Sequence, residues 1–99
     1  MLIVAGYIDV HGEDRDAYLA ARQTAIANTR SEPGCVTYVF SADSSDPGRI
    51  QVFEMWETTR DLDTHLELRT TEPSTPPTTT ILNRELKRYE IASVGPLRS

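Results

Sequence analysis

The chain has one cysteine, two histidines and no apolar run near the roughly 20 residues that a membrane helix needs. Cys35, being alone, cannot close an intrachain disulfide, and in its apolar stretch it reads as a small buried side chain. A nucleophilic cysteine would want a nearby histidine or helix N-terminus. Without pairs of spaced Cys or His ligands a metal site is not expected, and without a glycine-rich phosphate loop neither is a nucleotide. Basic residues are also in deficit. Ten Lys and Arg against fifteen Asp and Glu give a net charge of −5, which repels nucleic acid and anionic lipid. Met1 leads straight into Leu2-Ile3-Val4 without a basic region and cleavage site, so the expectation is a soluble, cytoplasmic protein.

Ninety-nine residues make one domain, 1–99, large enough for a core. Leu2 to Val10 is an apolar run broken by Gly6 and Asp9, expected to be a central strand. Glu13 to Arg30 reads as a helix, opened by acidic residues and closed before Ser31-Glu32-Pro33-Gly34. Cys35 to Ser41 and Ile50 to Trp56 are rich in β-branched and aromatic residues and flank the turn formers of Asp43 to Gly48, which predicts a hairpin. After Trp56 the period changes. Leu62, His65, Leu66 and Arg69 fall at helical spacings behind a capping box of Thr58 and Asp61. Thr70 to Thr80, with three prolines, reads as a loop or lid. Ile81 to Leu86 is expected to add a short helix, Lys87 to Val94 a last strand, and Gly95 to Ser99 a tail that is exposed or reaches a partner.

The resulting order, with right-handed crossovers, predicts an α+β fold: a ferredoxin-like β-α-β-β-α-β sheet with both helices on one face. The other face also needs cover. In the third strand Ile50, Val52 and Trp56 point one way and Phe53 and Met55 the other, while in the second Val36, Tyr38 and Phe40 oppose Cys35 and Val39. A monomer would leave an apolar sheet face in water, so a homodimer packed sheet on sheet, a dimeric α+β barrel, is expected.

Few side chains are candidates for chemistry. At about 100° per residue the first helix puts Arg22 amid Tyr18, Leu19, Ala25 and Ile26. A charge there either snorkels out, pairs with a sheet carboxylate such as Glu54, or faces an anionic substrate. His65, between Leu62 and Leu66, is expected on the buried side of the second helix, facing the sheet where Trp56 ends. It is either a hydrogen-bonded structural histidine or a general base whose pKa is tuned by burial. Trp56, Tyr38 and Tyr7 carry aromatic surface with polar tips, suited to core packing or to lining a pocket for a flat aromatic or quinone-like molecule. Whether Tyr38 and Trp56 share a face depends on a hairpin register that the sequence leaves open. His11 reads as surface, and Asp14-Arg15-Asp16 and Asp61-Leu62-Asp63 as solvated helix starts.

Glu32-Pro-Gly, a strand with a tyrosine, Asp46-Pro, Glu54-Met-Trp56-Glu and His65, in that order and spacing, resemble the antibiotic biosynthesis monooxygenase family. The resemblance implies the dimeric barrel and an oxygenase that uses no metal or flavin. A phenolic, quinol or polyketide-like aromatic substrate is deprotonated, and its electron-rich anion reacts directly with dioxygen. Position by position, the resemblance carries over Trp56 and His65 as pocket residues. The chain departs from many relatives where a second histidine follows in a Thr-Pro-His-Phe type segment, since here it runs Glu67-Leu-Arg-Thr-Thr-Glu-Pro73. It also lacks the first-strand asparagine and later histidine that haem-degrading members use. Two readings follow. One is a cofactor-independent monooxygenase with His65 as catalytic base and Trp56, Tyr38, Arg22 and Tyr7 around the substrate. The other is an isomerase or non-catalytic small-molecule binder of the same fold, because fold alone does not name a reaction.

Overall fold

In the computed structural model, which describes residues 1–70 and 79–98, the sheet is built outward from its first strand, β1 (Leu2–Val10). On one side lies β3 (Arg49–Trp56) with β2 (Cys35–Ala42) beyond it, and on the other β4 (Ile81–Glu90), every pair antiparallel. A 3-10 turn (Gly12–Asp14) leads into α1 (Arg15–Arg30), and α2 (Thr59–Thr70) follows β3. This is the expected ferredoxin-like α+β arrangement, with the strand order β2-β3-β1-β4. The expected loop or lid lies, from 71 to 78, outside the described residues. Among the described residues no helix is long and apolar enough to cross a membrane.

The helix face of the sheet is buried through Leu2, Ile8 and Val10 on β1 and Ile50, Val52 and Trp56 on β3. These pack in two clusters, Ile8, Val10, Ile50 and Val52 around Tyr18, and Leu2, Trp56 and Tyr38 around Ile26 and Leu62. Phe53 and Met55 point the other way, as the alternation predicted, and pair across the sheet with Ala5 and Ile3. Phe53 is 38% exposed and Tyr89, opposite Ile3, is 51% exposed, so an apolar sheet face does stand open to solvent in the single chain.

Three local readings change. Ile81 to Leu86 is not a short helix but the first half of β4, which ends at Glu90 and not at Val94. Its helix-forming residues are overridden by pairing with β1, where Ile81 and Leu86 reach the Tyr18 cluster. Gly6 makes this pairing possible. Its φ is +151°, and a Cβ there would run into the Glu85 carbonyl of β4. The second change is in β2, where a bulge between Cys35 and Thr37 sets Cys35 opposite Trp56. Cys35 therefore joins Tyr38 and Phe40 on the helix face, and Val36 is left 47% exposed. The third is Leu66, which is 45% exposed although its helix neighbours Leu62 and His65 are buried.

The hairpin register follows from its turn. The Asp43 carboxylate accepts from the backbone N–H of Ser45 and Asp46 at 3.0 and 2.8 Å, and Asp46 accepts from Gly48 at 2.9 Å. That fixes Tyr38 opposite Glu54 and Phe40 opposite Val52, on the helix face.

Candidate functional site

Between the helices and the sheet lies a cavity of about 250 Å³. His65 and Arg69 enter it from α2, Arg22 and Tyr18 from α1, Tyr38 and Glu54 from the hairpin strands, and Arg84 and Leu86 from β4. A second hollow of about 220 Å³ shares Glu54, Leu66 and Leu86 with it, so Glu54 stands where the two meet. The open position of Leu66 is thereby explained: it forms a wall of both spaces rather than a core contact.

His65 is placed by the segments on either side of it in space. The capping box forms as expected, with the Asp61 N–H donating to Thr58 Oγ1 at 3.1 Å, and it starts α2 so that Leu62 and His65 turn inward. The Glu32-Pro33-Gly34 turn packs against this helix start. Gly34 has φ +79°, and a Cβ there would collide with the Asp61 side chain, so only glycine lets the turn come this close. The approach delivers Glu32, whose carboxylate lies 3.0 Å from His65 Nδ1. The His65 ring lies 4.9 Å from the Trp56 rings and meets Tyr38 edge-on at 5.5 Å. Burial pushes the His65 pKa below its ordinary value, with Arg69 and Arg22 acting in the same sense, and the Glu32 carboxylate only partly opposes this. The neutral ring therefore donates Nδ1–H to Glu32 and keeps Nε2 as its acceptor.

The other groups are held in defined states too. Glu54 is only 6% exposed and accepts the Trp56 indole N–H at 3.1 Å. Burial raises its pKa, while the indole donor, Arg69 and Arg22 pull it back. The Tyr38 phenol is pushed up to about 12, first by burial and then by the Glu54 charge, so it stays protonated and acts as a donor. Arg22 is buried, lies 5.0 Å above the Phe40 ring and donates to Tyr38 Oη at a long 3.5 Å. The Cys35 thiol is raised by burial and by the neighbouring Glu32 and Glu54 charges, which keeps it in the unreactive form.

Of the five residues expected around a site, His65, Tyr38 and Arg22 line this cavity. Trp56 stands behind His65, fully buried, and holds Glu54. Tyr7 is the exception, because β1 alternation turns it to the outer face. There Arg49 lies 3.6 Å above its ring while bonded to Asp9 at 2.8 Å. Glu32, Arg69 and Arg84 were not singled out from sequence. Arg69 had a signal in its helical spacing with His65, whereas Glu32 looked like part of a turn and Arg84 fell in the segment read as a helix.

The comparisons agree with this architecture. The family model for antibiotic biosynthesis monooxygenase matches residues 1–71. An uncharacterized protein of Synechocystis is 36% identical over 66 residues, which are 67% of this chain and 45% of that protein, so the chain spans under half the length of this relative. A structure from Deinococcus radiodurans, named as a candidate antibiotic biosynthesis monooxygenase, superposes with TM-score 0.76 over 100% of both chains at 20% identity. The heme-degrader MhuD of Mycobacterium tuberculosis, solved with two hemes in its active site, superposes with TM-score 0.73 over 96% of this chain and 100% of its own at 12% identity. With the family model covering most of the sequence and the same fold in these structures, the chain belongs to the antibiotic biosynthesis monooxygenase family.

Proposed function

We propose that this protein is a cofactor-independent monooxygenase that oxidises a small phenolic or quinol-like aromatic substrate with dioxygen in the cavity lined by His65. The observation that carries this reading is a buried imidazole whose Nδ1 lies 3.0 Å from the Glu32 carboxylate and which faces a partly apolar cavity. Nε2 takes the phenolic proton, and Tyr38 donates to the substrate oxygen. The resulting anion transfers electrons to dioxygen. A C–O bond forms at the activated ring carbon, the C–H bond there and the O–O bond break, and the products are a quinone and one water. His65 returns its proton to the departing oxygen. Little else is required of the protein than to orient the ring and exclude bulk water. Oxygen-electrode assays with a panel of phenols and quinols test the reading. Consumption of one dioxygen per quinone formed is expected, and ligand binding without oxygen uptake in any case moves the protein to the isomerase or binding class.

The pH profile follows from the histidine. Since burial places its pKa below the ordinary 6.5, the rising limb of kcat/KM is expected below pH 6.5. The Glu32 carboxylate favours the imidazolium, so Glu32→Gln shifts that limb to lower pH and, by releasing the ring, lowers kcat. A limb that does not move in Glu32→Gln removes the dyad.

The open outer face supports a homodimer formed sheet on sheet, burying roughly 1,600 Å² or more. Phe53 points away from the helices, so Phe53→Asp is expected to give a folded monomer in sedimentation while the parent sediments as a dimer. A monomeric parent at micromolar concentration overturns this.

A further inference from the structure

We propose that Glu54 is a second catalytic residue of this cavity, its carboxylate taking the proton from the ring carbon that acquires oxygen while His65 serves the phenolic oxygen. The proposal rests on the oxygenase reading for its place in the reaction, but proton transfer at carbon needs no dioxygen.

The reaction itself asks for two proton transfers to a base. When a phenol becomes a quinone with one dioxygen, the water formed carries two hydrogens, the phenolic proton and the proton of the ring carbon. His65 handles the first. Having taken it from the hydroxyl, the imidazolium gives it to the peroxide on the ring, which becomes a hydroperoxide. The second proton leaves only when the C–H bond breaks, its electron pair forming the new C=O bond as the O–O bond opens and hydroxide departs. A base takes that proton and passes it to the hydroxide, which completes the water. For a carbon para to the hydroxyl this proton lies across the ring, beyond the hydrogen-bond reach of Nε2 at the hydroxyl.

Glu54 is placed for that task. It shares the buried face of β3 with Ile50, Val52 and Trp56, so a carboxylate with 6% exposure interrupts an apolar row at a cost in desolvation. Anchoring the indole does not require the charge, because a glutamine carbonyl would accept the same N–H. Trp56 ties the two proton acceptors together. Its N–H holds Glu54 Oε1 at 3.1 Å, and its rings lie 4.9 Å from the His65 ring. Both groups therefore meet one cavity from fixed and different points, Glu54 from β3 and His65 from α2. Tyr38, opposite Glu54 in the hairpin register, keeps its proton and serves as donor. Burial, with Glu32 in the same sense, raises Glu54 above its ordinary pKa against the Trp56 N–H, Arg69 and Arg22, whereas burial lowers His65. Two neighbouring groups pushed in opposite directions are suited to separate proton-transfer roles.

Ring-proton exchange under nitrogen tests the proposal, with the full chain in heavy water, resorcinol or 1,3-dihydroxynaphthalene as probe, and NMR at the carbon para to a hydroxyl. The parent is expected to speed exchange there by roughly 10² or more over buffer. Glu54→Gln, which keeps an acceptor for the indole, should lose that acceleration while still binding the probe and showing the ultraviolet band of its phenolate. His65→Gln should lose the phenolate band. A merely structural Glu54 would impair binding, band and exchange together. Glu54→Asp, with the acid drawn back by one methylene, should fall between the parent and Glu54→Gln, and a rate at or below that of Glu54→Gln counts against the proposal. Exchange no faster in the parent than in buffer overturns it, and so does parental exchange in folded Glu54→Gln. Exchange that depends on Glu54 in a protein that takes up no oxygen keeps Glu54 as the base at carbon and removes the oxygenase. Oxygen uptake undiminished in Glu54→Gln does the reverse.

Discussion

His65→Ala is expected to lower turnover by roughly 10² to 10⁴, the usual contribution of a positioned base. The same change also removes a buried ring that packs against Trp56 and Tyr38 and bonds to Glu32, so a loss of about 1–3 kcal/mol in stability accompanies it. Rate and folding therefore have to be separated. His65→Gln does this, because its amide N–H can donate to Glu32 while the side chain has no basic nitrogen. Turnover per folded molecule should fall as far in the glutamine variant as in the alanine variant, with a smaller drop in melting temperature. An unimpaired rate in folded His65→Gln takes the histidine out of the mechanism. Tyr38, held near 12, is too weakly acidic to replace it, so the proton would have to go to Glu54, a buried carboxylate that lines the same cavity.

Much of this site was legible because its parts sit on long periodic elements. The alternation of β3 and the spacing of α2 place Trp56 and His65 correctly, since both are governed by burial of one face. Arg22 stood out because a charge on an apolar helix face is a local contradiction, and the structure resolves it with cavity, ring and hydroxyl together. The misses are all non-local. Tyr7 and Ile8 are neighbours on an apolar strand, and only the pairing with β3 decides which one meets the helices. The β2 bulge inverts Cys35 and Val36 for a reason absent from composition. Arg84 reaches the cavity because β1 recruits a helix-prone segment as its outer partner, a choice made by Gly6 some eighty residues away. Glu32 matters through a close approach of two turns, for which Gly34 was the visible sign.

Trp56 is expected to be the most costly residue to lose. It is fully buried in the cluster with Leu2, Ile26 and Leu62, and truncation to Ala should cost about 3–5 kcal/mol. In a domain of this size each kcal/mol lowers Tm by roughly 4–8 °C. The more informative variant is Trp56→Phe, which retains most of the ring packing but removes the N–H that Glu54 accepts. Glu54 has a folded pKa above its ordinary 4.5, chiefly through burial. Between 4.5 and that raised value the folded state holds more protons than the unfolded one, so the Glu54 contribution to stability is intact at low pH and declines as pH rises. Removing the indole donor raises the folded pKa further and deepens the decline. The cost of Trp56→Phe should therefore be smaller at pH 4 than at pH 7, with the difference approaching about 1–3 kcal/mol. His65 has the opposite linkage, but it is present in both proteins. Urea unfolding at the two pH values measures the difference, and Glu54→Gln provides the control, because in that background Trp56→Phe should cost the same at both. A cost independent of pH in the presence of Glu54 would mean that the indole packs the core without holding a charge in place.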